Sequence, residues 1–272
     1  MKSSEEIKEV VRNKYAEVVK QSEKNDGSTG CCEPTGCCGS SEIDYSVFND
    51  DYSKLDGYVA DADLNLGCGM PTEFAGINRG DTVVDLGSGA GNDVFVARTL
   101  VGNEGKVIGI DFTEEMLEKA NKNNAKLGFS NVEFKFGEIE NIPLDINSTD
   151  VVVSNCVLNL VPDKEKAFME IYRILKPGGH FCVSDIVLLG ELPEGLKQSA
   201  SMYAGCVSGA LQKDDYLSYI SKTGFSDVEV KTSKRIQLPD ELVKEYLNEE
   251  EFKLFKENDF GIFSITVVGY KS

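Results

Sequence analysis

From residue 81 onward, short apolar runs alternate with segments of helical period, and few folds accept that order. "TVVDL" is followed by a helix over about 90–101, "KVIGID" by one over about 113–127, and "VEFKFG" leads to "DVVVSN"; a helix over about 163–175 then precedes "HFCVSDIVL". Apolar runs this short, separated by crossover helices, belong to a parallel sheet covered on both faces. The core is therefore expected to be a doubly wound α/β domain. With 272 residues, 41% of them hydrophobic, the chain is long enough for one large core and a smaller appendage.

The flanks read differently. Ile7, Val10, Val11, Tyr15, Val18 and Val19 recur at spacings of three and four, which predicts an amphipathic helix over residues 5–20. A Gly/Ser/Cys loop, "GSTGCCEPTGCCGSS", follows it, and then an irregular stretch rich in Asp, Gly and Tyr that reads as a cap with short helices. Beyond the core, residues 194–223 read as largely helical, "DVEVKTS" as a strand, residues 240–258 as a charged, solvated helical segment, and "FSITVVGYK" as a closing strand. The first 24 residues carry charges every few positions and hold no continuous apolar region, so neither a signal peptide nor a membrane anchor is expected there, and the cytosol is the expected compartment. A net charge of −18 repels nucleic acid and anionic membrane surfaces alike. No heptad or apolar excess points to self-association, and a monomer is expected.

"VVDLGSGAGND" sets Gly87, Gly89 and Gly91 between the first core strand and its helix, where the backbone must turn tightly and a ligand can approach closely. The spacing is GxGxG; a dinucleotide fingerprint would place its third glycine where Asn92 stands. Asp85 precedes the turn, and a carboxylate there suits a cationic ligand better than a phosphate. Asp111 closes the second strand, placed to accept ribose hydroxyls, and Glu138 and Ile139 in "GEIENIP" can border an adenine ring.

With "GID", "DVVVSNCVLN" and "ILKPGGHF" in the same order, residues 81–185 resemble a class I S-adenosylmethionine methyltransferase. The resemblance implies a seven-stranded Rossmann-like sheet ordered 3-2-1-4-5-7-6 with an antiparallel last strand, an N-terminal helical and loop cap, and a C-terminal α+β extension. It implies S-adenosylmethionine as methyl donor, with no required metal ion, bound by Asp85, Gly87, Ser88, Gly89, Gly91, Asp111, Phe112, Met116, Glu138, Ile139 and Asn155.

The eight cysteines add a second constraint. They are too sparse for a disulfide-stapled secreted scaffold, no later cysteine forms a CxxC pair, and "CCEPTGCC" lacks the spacing of a zinc ribbon. Cys156 follows the fourth strand's carboxyl end, the edge over which ligands bind in open α/β sheets. Cys68, Cys156 and Cys206 come from distant segments and can converge only over that face. Thiolates select soft, thiophilic centres, and trivalent arsenic is a three-coordinate one whose lone pair stays free to attack. Cys182 lies within an apolar strand and reads as core. The one histidine, His180, reads as a surface or strand-start residue, so a Ser-His-Asp triad has a single candidate and a histidine-dependent mechanism is disfavoured.

Taken with "EVVRNKYAEV", "LNLGCGMPTEFAGINRGDTVVDLGSGAGND", "SNCVLNLVPDK" and "YAGCVSGAL", these cysteines make the whole chain resemble an arsenite S-adenosylmethionine methyltransferase. That resemblance implies As(III) ligation by Cys156 and Cys206 with Cys68 as third thiol. It also implies a redox partner for Cys68 among Cys31, Cys32, Cys37 and Cys38, of which Cys32 is taken into the catalytic set. Thioredoxin or glutathione is the implied reductant. The implied division is residues 1–75 for helix, cysteine loop and cap, 76–190 for the cofactor-binding core, and 191–272 for the part that completes the arsenic site and the sheet. Two other functions fit some of these features: a methyltransferase of a small organic acceptor, and a non-catalytic thiol protein that binds a metalloid or zinc.

Overall fold

The apolar runs form one mixed sheet in a computed structural model that describes residues 3–25, 50–191, 209–236, 240–257 and 261–272. Its strands are β1 (Thr82–Leu86), β2 (Lys106–Asp111), β3 (Val132–Phe136), β4 (Thr149–Asn155), β5 (Leu175–Leu189), the two-residue β6 (Leu211–Gln212), β7 (Ser226–Ile236) and β8 (Gly261–Tyr270). They lie in the order β3-β2-β1-β4-β5-β8-β7, with β6 beside β5. Pairing is parallel from β3 through β5, and β8 runs antiparallel to both β5 and β7. Setting the short β6 aside, this is the 3-2-1-4-5-7-6 order and the antiparallel last strand that the sequence led us to expect.

Alternate residues of the strands serve two apolar layers. Val83, Val107, Val151 and Val153 face a cluster with Phe95, Ala97 and Val101 of α3 (Asn92–Val101). Val84, Ile108, Val152 and Phe181 face the opposite cluster, built with Phe168 and Ile171 of α5 (Lys164–Ile174) and with Tyr216 and Ile220 of α6 (Lys213–Thr223). Cys182 is buried in the first layer, as its strand context predicts, and burial pushes its thiol pKa well up. His180, half-buried near the start of β5, places its Nε2 against Ala75 O.

A third cluster sits over the carboxyl ends of the strands. It joins Val11 of α1 (Ser4–Asn25) to Cys68, Cys156, Leu160, Ile186, Leu188 and Ile262. Helix α1 packs on α4 (Glu114–Leu127), with Lys20 paired to Glu115 at 3.1 Å and Lys119 donating to Ser22 Oγ at 3.1 Å. The charged segment near residue 240 is broken into α7 (Asp240–Lys244) and α8 (Glu249–Glu257), and its solvated reading needs correction. Val243 and Leu247 are buried in this third cluster, so the segment closes over the cysteines as well as meeting water. The cap contributes 3-10 turns at Tyr52–Lys54 and Ala60–Ala62 and the one-turn helix α2 (Pro71–Phe74).

Candidate active site

The turn after β1 is closed by the backbone: Gly87 N–H and Ser88 N–H both donate to Ile110 O, at 2.8 and 3.0 Å. Gly87 (φ +70°) and Gly89 (φ +52°) hold left-handed conformations that favour glycine. A Cβ on Gly87 would meet Val157 Cγ2 at 2.5 Å, whereas one on Gly89 would find only Met116 Sδ at 3.8 Å. Gly91 caps α3 at φ +100°, and a Cβ there would strike the Phe95 ring at 2.8 Å. The first and third glycines thus serve packing, and the second leaves room.

That room is part of a cleft enclosing about 1100 Å³ of space, its open mouth included. Asp85, Gly87, Ser88, Gly89, Asp111, Phe112, Met116, Glu138, Ile139, Asn155 and Cys156 all line it; Gly91 does not. Helix α1 supplies Lys8, Val11 and Tyr15 to the same wall. Burial opposes the charge on Lys8, but Glu138 at 2.8 Å and Glu140 at 2.6 Å outweigh it and raise its pKa.

Three carboxylates crowd one end of the cleft. Burial, and then the neighbouring Asp93 and Asp111, push the Asp85 carboxyl well above the usual carboxylate range. Burial raises Asp111 too, partly offset by Thr113 N–H at 2.8 Å and Gly89 N–H at 2.9 Å. Asp93 is pushed up to about 6, by burial first, against hydrogen bonds from Asn155, Tyr52 and Thr72. Nearby, Ser88 Oγ and Asn92 Oδ1 are buried at the cleft wall with no hydrogen-bond partner among the described residues. Clustered buried carboxylates beside unmatched polar atoms suit a ligand with a positive end and hydroxyl groups.

The same end of the cleft positions a thiol. Asn155 Oδ1 accepts the Cys68 backbone N–H at 3.0 Å, and its Nδ2 donates to Gly69 O at 2.8 Å, Tyr52 Oη at 2.7 Å and Asp93 Oδ2 at 3.1 Å. Tyr52 Oη lies 2.9 Å from Gly69 O and 3.0 Å from Asp93 Oδ1. A side chain on Gly69 would collide with Ser184 Oγ at 2.6 Å, so the loop can lie this close to β5 only with glycine there. Cys156 has a φ of +59°, sparsely populated for a residue with a Cβ, and its N–H donates to Ser184 O at 2.7 Å.

Cys68 Sγ, Cys156 Sγ and a carboxylate oxygen of Asp185 lie within 4.8 Å of one another, all three residues buried. Burial pushes the Asp185 carboxyl up to about 7, despite the Ile186 N–H at 3.1 Å and the Tyr216 hydroxyl at 3.2 Å. Two of the three expected arsenic-site thiols therefore lie side by side, Cys156 at the cleft wall and Cys68 buried behind it. Cys206, and Cys31, Cys32, Cys37 and Cys38, lie outside the described residues. Sequence reasoning passed over Tyr52, Thr72, Asp93 and Asp185. For the two acids a signal existed: Asp93 stands two residues after the last glycine of the turn, in the first turn of α3, and Asp185 interrupts the apolar run "HFCVSDIVL".

The chain matches the family described as methyltransferase domain over residues 77–224. It is 42% identical over 235 residues to the arsenite methyltransferase of Halobacterium salinarum, a match covering 83% of this chain and 59% of that protein. With the arsenite methyltransferase of Mus musculus it shares 34% identity over 269 residues, 94% of this chain and 69% of the mouse protein. Its fold is similar to the crystal structure of an arsenic(III) S-adenosylmethionine methyltransferase from Chlamydomonas reinhardtii, with a TM-score of 0.63 and 36% identity, over 75% of this chain and 67% of that one. The chain spans less than two thirds of the halobacterial protein's length.

Proposed function

The chain belongs to the arsenite methyltransferases, a family built on the methyltransferase domain, and from that premise we propose that it transfers methyl groups from S-adenosylmethionine to thiol-bound trivalent arsenic. The observation that carries this reading is the meeting of Cys68 and Cys156 at a cleft whose wall includes Cys156 itself. The cleft suits the donor: the carboxylates face a cationic group, and Ser88 Oγ and Asn92 Oδ1 have hydrogen-bonding capacity to give. When bound, S-adenosylmethionine supplies an electrophilic methyl group. Asp85 and Asp93 hold its positive end, Asp111 its ribose hydroxyls, and Glu138 and Ile139 border its base. Gly87, Ser88, Gly89, Phe112, Met116 and Asn155 complete the wall, and Gly91 shapes the turn behind it.

On the acceptor side the ligands are Cys156 and Cys206, with Cys68 as third thiol. Each arsenic–sulfur bond requires a deprotonated thiol, and the proton leaves as water with a hydroxyl of the metalloid. The arsenic nucleophile is a lone pair, so no general base is needed; His180 is absent from the cleft wall. Methylation takes arsenic formally from trivalent to pentavalent. Two electrons return it, supplied as Cys68 and a loop thiol (Cys32, or Cys31, Cys37 or Cys38) close a disulfide and release two protons, with thioredoxin or glutathione resetting the pair. The division into residues 1–75, 76–190 and 191–272 assigns the thiol supply, the cofactor and the completion of the site to successive parts. A monomer in the cytosol, bound to neither nucleic acid nor membrane, fits the net charge of −18; no helix among the described residues is long and apolar enough to cross a membrane.

Incubation with As(III), S-adenosylmethionine and a thiol reductant, followed by speciation of the arsenic, tests the reading. Methylated arsenicals are expected from the wild type and not from Cys156→Ser or Cys206→Ser. Methylation of an organic acceptor that survives Cys156→Ser would overturn it.

A further inference from the structure

The two thiols have an oxygen donor for company. Cys68 comes from the loop before α2, Cys156 from the end of β4 and Asp185 from β5, and they are 1%, 5% and 1% exposed. Each is held by its own hydrogen bonds. Asn155 Oδ1 takes the Cys68 N–H, and Ser184 O takes the Cys156 N–H. Asp185 Oδ1 accepts Ile186 N–H, and Oδ2 accepts the buried Tyr216 hydroxyl. The Asn159 N–H is a third donor to this carboxylate, and of its roughly four lone-pair sites one remains for a further ligand.

Trivalent arsenic is satisfied by sulfur, and a carboxylate adds a hard donor and a charge that a neutral arsenic thiolate does not need. A borderline divalent cation does need them. In a tetrahedral zinc site, with Zn–S about 2.3 Å and Zn–O about 2.0 Å, neighbouring donors stand about 3.5–3.8 Å apart. The 4.8 Å limit that encloses the present triad leaves about 1 Å to close, within reach of side-chain torsions. A ligating carboxylate that also accepts a phenolic hydrogen bond is the outer-shell support such sites employ.

We infer that Cys68, Cys156 and Asp185 form a site for a thiophilic divalent cation, Zn²⁺ or Cd²⁺, which occupies the thiols that the metalloid requires. Uptake of the ion stands apart from the methyl-transfer reading; only its competition with As(III) rests on that reading. The carboxylate is then the group that separates the two classes of ligand, because sulfur serves both.

The test uses the full chain with Cys31, Cys32, Cys37 and Cys38 replaced by Ser, so that the loop thiols take no metal. Cd²⁺ is titrated and its thiolate charge-transfer absorption followed, and Zn²⁺ and As(III) binding are measured by calorimetry. One Cd²⁺ per chain is expected. Asp185→Asn should keep the thiolate absorption yet weaken Cd²⁺ and Zn²⁺ by at least about tenfold. As(III) affinity should stay within about twofold. Tyr216→Phe keeps the carboxylate, removes its hydroxyl donor and should weaken the divalent ions in the same direction; it decides the matter if Asp185→Asn does not fold. Absence of ion uptake, or unchanged Cd²⁺ affinity in the folded variants, would overturn the inference. In turnover assays of the unsubstituted chain, which keeps its loop thiols, Zn²⁺ should raise the KM for As(III) and leave kcat unchanged. Ion uptake without methyl transfer would count against the proposed function alone.

Discussion

Deleting a single oxygen atom, in Tyr52→Phe, should destabilise the protein more at high pH than at low. Tyr52 is buried, and its hydroxyl helps to hold Asp93, whose carboxyl sits at about 6 against an ordinary 3.8. A carboxyl raised on folding gives stability that is fully present below 3.8 and is lost as pH rises through 6. At about 1.36 kcal/mol for each tenfold change in proton affinity, the whole loss is about 3 kcal/mol. The Tyr52 hydrogen bond limits it. To a charged carboxylate such a bond is worth about 1.5–3 kcal/mol, and to a neutral one about 0.5–1.5 kcal/mol. Tyr52→Phe should therefore cost about 1 kcal/mol more at about pH 8 than at about pH 5. For a domain of this size, that is a melting-temperature deficit about 2–4 °C larger. Thermal unfolding of both proteins at the two pH values and constant ionic strength measures it. Equal deficits, or a larger one at the lower pH, would refute the coupling of Tyr52 to Asp93.

The glycines of the turn should separate by assay. Gly87→Ala, which drives a methyl into Val157, should lower the melting temperature well beyond Gly89→Ala, while Gly89→Ala should lose S-adenosylmethionine affinity by calorimetry at a fold cost of about 1–2 kcal/mol. Comparable melting temperatures for the two would contradict the division of labour. Lys8→Met leaves the buried Glu140 uncompensated and should destabilise by about 1–2 kcal/mol, between the values of exposed and buried pairs; chemical denaturation reads it. Cys182→Ser buries a hydroxyl in an apolar layer, so it should cost about 1–3 kcal/mol of stability and leave the rate of arsenic methylation at moderate temperature unchanged.

The sheet was legible because its strands are apolar runs bounded by turn residues, and the parallel order follows from the helices between them. The places of Asp85, Asp111 and the glycine turn at the cleft were legible because each depends only on position near the carboxyl end of a strand or in the turn after it. Gly91 was legible as a turn residue, but its place behind the cleft depends on the Phe95 ring folding back beneath it. Tyr52, Thr72, Asp93 and Asn155 meet through hydrogen bonds between residues 21 to 103 positions apart, and no spacing rule records such a knot. Cys68 and Cys156 were legible as a pair only through the chemistry of sulfur. Asp185 escaped because an acid within an apolar strand reveals its purpose only when its neighbours across space are known.

The most direct test of the account is the coordination of arsenic in the protein, read by X-ray absorption at the arsenic edge with the four loop cysteines replaced by Ser. Sulfur-only coordination is predicted for the parent, with the sulfur count falling in Cys68→Ser and again in Cys156→Ser, and with no change in Cys182→Ser. A sulfur count that survives both of the first two substitutions would place the metalloid elsewhere and contradict the site described here.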